Sequence, residues 1–166
     1  MTTQLSEAAE AQIRAGILTG AYAFGERLSD RALADRLGIK APSLYKHVRD
    51  RQEIETLLAA EALEELGQRL GAESDLPAMG RAYREWALAN PALYRVATTR
   101  PLDRENLPEG LEDSAALPLI EAVGGDRARA RAIWAMAHGM SLLELDGRFP
   151  EDADIEAAWQ AGTSAI

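Results

Sequence analysis

The segment Ser29–Ile54, SDRALADRLGIKAPSLYKHVRDRQEI, decides the fold expected of this chain. Ser29 can cap a helix, and apolar residues then recur at helical spacing. Gly38 is of the residue type that most readily ends a helix, and Pro42 suits the first turn of the next one. The segment therefore predicts two short helices joined by a tight turn, with a third helix beginning near Arg51.

The second short helix has an apolar inward face and a polar outward face. Leu44 and Val48, four residues apart, lie on the inward face. Between Arg36 and Arg51 the chain carries five basic residues and one acidic residue, although its net charge is -9. Two short helices around a glycine turn, the second bearing polar outward residues, are typical of a helix-turn-helix, whose second helix enters the DNA major groove.

The stretch LADRLGIKAPSLYKHVRDRQEI, residues 33–54, resembles the DNA-binding signature of the TetR family of transcriptional regulators. The likeness is close over residues 28–58. It is weaker in RAYREWALANPALYRVATTRP and AIWAMAHGMSLLELDGRFP, which resemble the C-terminal domain of one branch of that family. Two residues depart from the pattern: Lys40 stands where many relatives have a capping serine, and Val48 replaces a frequent phenylalanine.

The resemblance implies an all-α protein in two parts. Residues 1–50 would form a three-helix helix-turn-helix domain, and residues 51–166 a helical ligand-binding and dimerisation domain. In that family the last two helices pair with those of a second subunit, so a homodimer on a palindromic operator is expected. The implied function is a repressor that a small-molecule effector releases from DNA.

The residues expected to contact double-stranded DNA lie in and around the turn. Ser43 and Lys46 are predicted to reach base edges, and Lys40 to hold a phosphate. By the resemblance, Tyr45 and His47 also contact the DNA backbone. The full predicted set is Ser29, Lys40, Ala41, Pro42, Ser43, Tyr45, Lys46 and His47.

Two other classes of protein fit parts of the pattern. IRAGILTGAYAFGERLSDRALADRLGI, residues 13–39, also resembles the opening of the winged-helix GntR family. A wing needs a β-hairpin after the second helix, but Asp50 and Glu53 instead open a helix that continues to about Leu70. The second alternative is a helical interaction module without enzymatic activity, whose basic patch would meet an acidic protein.

The composition limits the classes of function. The chain of 166 residues is 47% hydrophobic and 27% charged, and it lacks a signal peptide or an apolar run long enough to span a membrane, so a cytoplasmic protein is expected. It has no cysteine, no glycine-rich phosphate loop and no histidine pair at metal-ligand spacing. We therefore expect no enzymatic activity, metal or cofactor.

Residues 51–166 are predicted to be helical throughout. The expected helices cover 51–70, 76–90, 91–99 and 114–125, with further helices opened by Asp126 and by Glu151 and Asp152. The segment Ile133–Leu145 is apolar nearly all round, which predicts that more than one of its sides is covered.

The second domain is also expected to hold a small, largely apolar effector. Bulky or adaptable side chains on its helices could surround a pocket, although such side chains are more often core. His138 is the most distinctive, because it lies on an otherwise apolar helix. The predicted ligand-binding residues are Met79, Tyr83, Trp86, Leu117, Trp134 and His138.

Overall fold

The computed structural model describes residues 50–165 of the chain. The predicted helix-turn-helix domain, apart from its last residue, lies outside the described residues. So do all eight predicted DNA contacts, which are Ser29, Lys40, Ala41, Pro42, Ser43, Tyr45, Lys46 and His47. The division of the chain at residue 50 stays a prediction.

Residues 50–165 form six helices and no strand, which confirms the all-α prediction for this part of the chain. None of these helices is long and apolar enough to cross a lipid bilayer. The helices are α1 (Arg51–Gly71), α2 (Leu76–Ala89), α3 (Pro91–Thr99), α4 (Leu111–Ala122), α5 (Arg127–Leu145) and α6 (Ile155–Ala165).

Aspartates begin four of the helices by accepting hydrogen bonds from the free amides of the first turn. Asp50 accepts from the amide of Glu53 at 2.9 Å, and Asp126 from two amides of α5 at 2.9 and 3.0 Å. Asp75 and Asp154 do the same for α2 and α6. The predicted start of a helix at Asp126 is therefore confirmed.

Two predicted helix starts are wrong. The last helix begins at Ile155 rather than at Glu151, because the carboxylate of Asp154 caps it. The helix expected from residue 114 begins at Leu111, since Gly110 adopts a left-handed conformation (φ 77°) just before it. Two acidic residues in the first turn of α4 then lie near the positive end of the helix dipole.

The described chain belongs to two compact units. The first contains residues 50–62 and 90–108, and the second contains residues 63–89 and 109–165. In the first unit, Ile54 and Leu58 of α1 and Leu93 and Tyr94 of α3 are buried.

In the second unit, α2 packs against α5 and α6, which also pack against each other, and α4 packs against α2 and α5. Met79, Tyr83 and Trp86 form the buried face of α2. A second apolar cluster contains Val123, Ala130 and Ile133, with Leu76, Leu119 and Ile120 packed against it. The helices of this unit therefore bury apolar side chains between them.

The carboxylate of Glu144 joins three helices of the second unit. It accepts two hydrogen bonds from Arg84 Nε, both at 3.0 Å, and a third from Nη2 at 2.9 Å. Trp159 Nε1 donates to the same carboxylate at 2.6 Å, and Arg84 Nη1 donates to Glu156 at 3.1 Å. Because the Glu144 side chain is only 11% exposed, these charge-assisted bonds hold α2, α5 and α6 in one arrangement.

The C-terminal half of α1 meets α4 at two glycines. A Cβ atom on Gly67 would lie 2.8 Å from the Cα of Ala115, which is closer than real contacts allow. One turn later, a Cβ on Gly71 would lie 3.5 Å from Pro118 Cγ, an ordinary contact. The two backbones therefore touch at Gly67.

We expect Gly67→Ala to destabilise the fold by about 1 to 3 kcal/mol, because a backbone must move to admit the methyl group. Gly71→Ala is the matched control and should stay within about 1 kcal/mol of the wild type, since its methyl group has room and alanine favours helix. Urea unfolding followed by circular dichroism measures both. Equal stability of the two variants would contradict the close contact.

Glu144→Gln should lower the free energy of unfolding by about 1 to 3 kcal/mol, because Arg84 loses a partly buried charged acceptor. The control is Arg127→Gln, which removes an exposed ion pair of 3.4 Å with Asp113 and should cost less than about 1 kcal/mol. Urea unfolding followed by tryptophan fluorescence compares them. An equal loss in both variants would show that the Glu144 contacts are no stronger than a surface pair.

Candidate functional site

A cavity of about 260 Å³ lies in the first unit. One wall is a single face of α1, and the opposite wall is the end of α3 with the loop that follows it. The α1 wall consists of residues three or four apart, which share one side of a helix. The lining residues are Gln52, Glu55, Thr56, Ala59, Val96, Ala97, Arg100, Pro101, Leu102 and Asp103.

Asp103 is the centre of the hydrogen bonds in this cavity wall. Its carboxylate accepts from Gln52 Nε2 at 2.9 Å and from Thr56 Oγ1 at 3.4 Å. Asn106, three residues later in the loop, donates its amide to the same carboxylate at 2.9 and 3.0 Å. These bonds connect the loop after α3 to the first turns of α1.

An ion pair also spans the cavity. Arg100 Nη1 lies 3.4 Å from Glu55 Oε2, and the Arg100 side chain is 66% exposed whereas that of Glu55 is 15% exposed. Only the Arg100 end of this pair is in solvent, whereas the carboxylate end is largely buried.

A second feature is the surface of α5. Ile133, Ala137 and Ser141, one turn apart, form the side of α5 that faces its own unit. Elsewhere on α5, Trp134 is 52% and Leu143 42% exposed, and these two residues, nine apart, lie on opposite flanks of the helix. The second unit thus covers one side of this apolar helix and leaves the other open.

Small residues lie on the open side of α5 and on the surface of α6. A Cβ on Gly139 would meet nothing within 4 Å, so another helix backbone could approach closely there. On α6, the alanines at 157, 158 and 161 are exposed as well. The two helices therefore expose apolar and small side chains of the kind that pack helix against helix.

The six predicted ligand-binding residues lie on three helices of the second unit. Met79, Tyr83 and Trp86 are buried on α2, with Trp86 Nε1 donating to Glu65 at 2.7 Å. Leu117 is exposed on α4. Trp134 and His138 stack on α5, with ring centroids 6.0 Å apart and an interplanar angle of 24°. None of the six lines the cavity of the first unit, and their role in ligand binding stays a prediction.

The cavity residues were not predicted as a site. Gln52, Glu55 and Thr56 give only an ordinary polar helix face in the sequence, and Asp103 lies in a loop 47 residues after Thr56. The one signal was the polar loop RPLDRENLPEG, whose aspartate and asparagine are three residues apart. Within residues 50–165, no three acidic or histidine side chains are grouped as metal ligands.

The imidazole of His138 has a lowered pKa. Partial burial removes water from the ring and disfavours its charged form, which is the cause of this shift below the ordinary value of about 6.5. His138 is consequently held in its neutral form at neutral pH.

Comparisons with known proteins match the chain to one family model and to several transcriptional regulators. The model of the family described as "Tetracyclin repressor-like, C-terminal domain" matches residues 76–166, more than half of the chain. The uncharacterized HTH-type transcriptional regulator Rv0681 of Mycobacterium tuberculosis is 30% identical over 167 residues, which cover 88% of this chain and 76% of that protein. The uncharacterized HTH-type transcriptional regulator YobS of Bacillus subtilis is 25% identical over 137 residues, which cover 75% of this chain and 72% of that protein.

A solved structure is also similar to this chain. The crystal structure of SCO4313, described as a regulatory protein, matches with a TM-score of 0.70 and 25% sequence identity. The match covers 96% of this chain and 97% of that one.

We expect the stability of the wild type to fall as the pH drops below about 6.5, because the unfolded chain then binds a proton that folded His138 resists. The loss should end below the lowered pKa of the folded state. Unfolding free energies measured from pH 8 to pH 5 should fall less for His138→Gln than for the wild type. Parallel curves would show that His138 is as easily protonated when folded as when unfolded.

Proposed function

Because the chain belongs to the TetR family of transcriptional regulators, as the resemblance of its sequence predicted, we propose that it binds a palindromic operator as a homodimer and leaves it when an effector binds. The observation that carries the proposal is the family match over residues 76–166, together with a regulator 30% identical over most of both chains. The same match favours this function over the winged GntR-like alternative and the interaction module.

The DNA-binding part of the proposal rests on the helix-turn-helix pattern of residues 29–54. Lys46 and Ser43 would read base edges, while Lys40, Tyr45 and His47 would hold phosphates. Residues 55–166 carry ten basic and twenty acidic residues, whereas residues 1–54 carry eight and seven. The acidic remainder of the chain would be repelled by DNA, so one orientation of binding is favoured.

The homodimer is supported by the open side of α5 and by α6. Leu143 would be covered by a second subunit, and Gly139, four residues earlier on the same side of α5, would allow the helices to approach closely. A two-fold dimer places two recognition helices in successive major grooves, which matches a palindrome.

Repression would follow from a shift between two conformations. An effector that binds only the conformation in which the recognition helices are wrongly spaced lowers operator affinity by its differential binding, typically about 1 to 3 kcal/mol. Helix α1 suits the connecting role, because it begins directly after the predicted DNA-binding domain in the sequence.

Selection from a pool of random duplex DNA tests the proposal. We expect the wild type to enrich a palindromic sequence, with affinity that falls steeply as salt rises. Lys46→Ala should relax the sequence preference, and Tyr45→Ala should weaken binding to all sequences about equally. No enrichment at low salt, together with variants that behave as the wild type, would overturn the DNA-binding proposal.

Two further variants test the proposed dimer interface. Gly139→Arg adds bulk and charge to the open side of α5 and should give a folded monomer with much weaker operator binding. Gln68→Arg adds the same side chain at an exposed position of α1 and should remain a dimer. Sedimentation equilibrium measures the subunit number, and a dimeric Gly139→Arg protein would contradict the proposed interface.

A further inference from the structure

We propose that Asp103 is a positioning residue for operator binding, because its carboxylate fixes the orientation of the first turns of α1. Through α1 it sets the spacing between the two half-sites that the dimer accepts. This role rests on the proposed function and deepens it, since a residue far from the predicted helix-turn-helix takes part in DNA recognition.

The carboxylate of Asp103 ties the loop after α3 to α1. Gln52, the second residue of α1, donates its side-chain amide to Oδ2 at 2.9 Å. Thr56 shares its hydroxyl between the carbonyl oxygen of Gln52, at 2.8 Å, and the same carboxylate, at 3.4 Å. Asn106 donates to both carboxylate oxygens, at 3.0 and 2.9 Å, and so holds the carboxylate in place. Asp103 is therefore occupied by donors of the protein itself.

An ion pair ties the same two segments together. Arg100 Nη1 lies 3.4 Å from Glu55 Oε2. Gln52, Glu55 and Thr56 are three or four residues apart, so they share one side of α1. All three contact the stretch of residues 100–103. Two attachments at different points along a helix restrain its rotation, which a single attachment would leave free.

Apolar packing alone leaves the rotation of α1 less well defined. Ile54 and Leu58 of α1 are buried, as are Leu93 and Tyr94 of α3. Apolar burial is non-directional, so it holds α1 in its unit without choosing among small rotations. A hydrogen bond, in contrast, weakens steeply as the donor turns away from the acceptor. The contacts of Asp103 therefore select one rotation of α1.

Helix α1 follows the predicted recognition helix almost directly. Only Arg49 and Asp50 stand between Val48 and the first residue of α1. Asp50 accepts a hydrogen bond from the amide of Glu53 at 2.9 Å, so the first turn of α1 is capped. A connection of two residues is too short to absorb a change in the direction of this turn. Such a change is passed to the predicted DNA-binding domain.

Half-site spacing is the property of the operator that depends on this direction. In a two-fold dimer a change in α1 occurs in both subunits, so it alters the separation of the two recognition helices. Adjacent base pairs are about 3.4 Å apart and turned by about 35°, which makes an error of one base pair large for a fixed helix. The bases within each half-site are read by the recognition helix itself and should not depend on Asp103.

The test measures affinity for operators that differ only in spacing. The palindrome that the wild type selects is synthesised again with one or two base pairs added or removed between its half-sites. We expect the wild type to bind the selected spacing about ten-fold or more tightly than any other. Asp103→Ala should reduce this ratio to about three-fold or less and keep the preference within each half-site. Fluorescence anisotropy of labelled duplexes measures each affinity.

Two substitutions at the exposed Gln52 distinguish positioning from stability. Gln52→Lys keeps a donor toward Asp103 and should keep the wild-type ratio, whereas Gln52→Glu adds a second carboxylate and should lower it. The added charges change the affinity for all spacings together, so they cancel in the ratio. Gln68→Ala removes a 3.4 Å bond to Glu64 farther along α1, and as the control it should keep the wild-type ratio. Circular dichroism confirms that each variant is folded.

The outcomes separate this role of Asp103 from the proposed function. A wild type that selects no palindrome contradicts the proposed function, and the positioning role falls with it. If the wild type discriminates between spacings and folded Asp103→Ala and Gln52→Glu do so equally well, only the positioning role is wrong. Weakening by the same factor at every spacing would show that Asp103 merely stabilises the fold, and it would also overturn the role.

Discussion

The arrangement of the second unit depends on one carboxylate. Glu144 binds Arg84 and Trp159 together, so the rotation of α5 about its own axis is fixed relative to α2 and α6. That rotation turns Ile133, Ala137 and Ser141 inward and leaves Trp134 exposed. Without it, the chemistry of the segment Ile133–Leu145 would not decide which side faces out, because that segment is apolar nearly all round.

The polar cavity and all three tryptophans lie in different units. The first contains the cavity of about 260 Å³ with the carboxylates of Asp103 and Glu55 in its wall, whereas the second is filled by aromatic and aliphatic side chains. A cavity of about 10 Å³ beside Trp159 in the second unit is too small for a metabolite. Trp86 further fills the second unit by bonding its indole to Glu65. Ligand-binding residues predicted from bulky aromatic side chains therefore lie in the second unit, and none of them lines the cavity.

The parts of the fold that local chemistry controls could be predicted from the sequence. Asp126 and the helical spacing of α1, α2 and α3 gave correct helices, because caps and periodicity act within a few residues. The start of α6 was missed, since Asp154 and Asp152 are equally plausible caps in sequence. The cavity and the contact of Gly67 with α4 could not be predicted, because both depend on which distant segments meet. The DNA contacts were predicted from a motif, and they lie outside the described residues.

The first unit is discontinuous in sequence, since residues 63–89 of the second unit lie between its two described segments. This order has a consequence for synthesis. A chain growing from its N-terminus releases α2 before the loop with Asp103, so the walls of the cavity meet only after the Trp86 helix has left the ribosome. Helices α5 and α6, which pack against α2, emerge later still. The newly made chain therefore exposes the apolar face of α2 for tens of residues, and this interval is when a chaperone would recognise it.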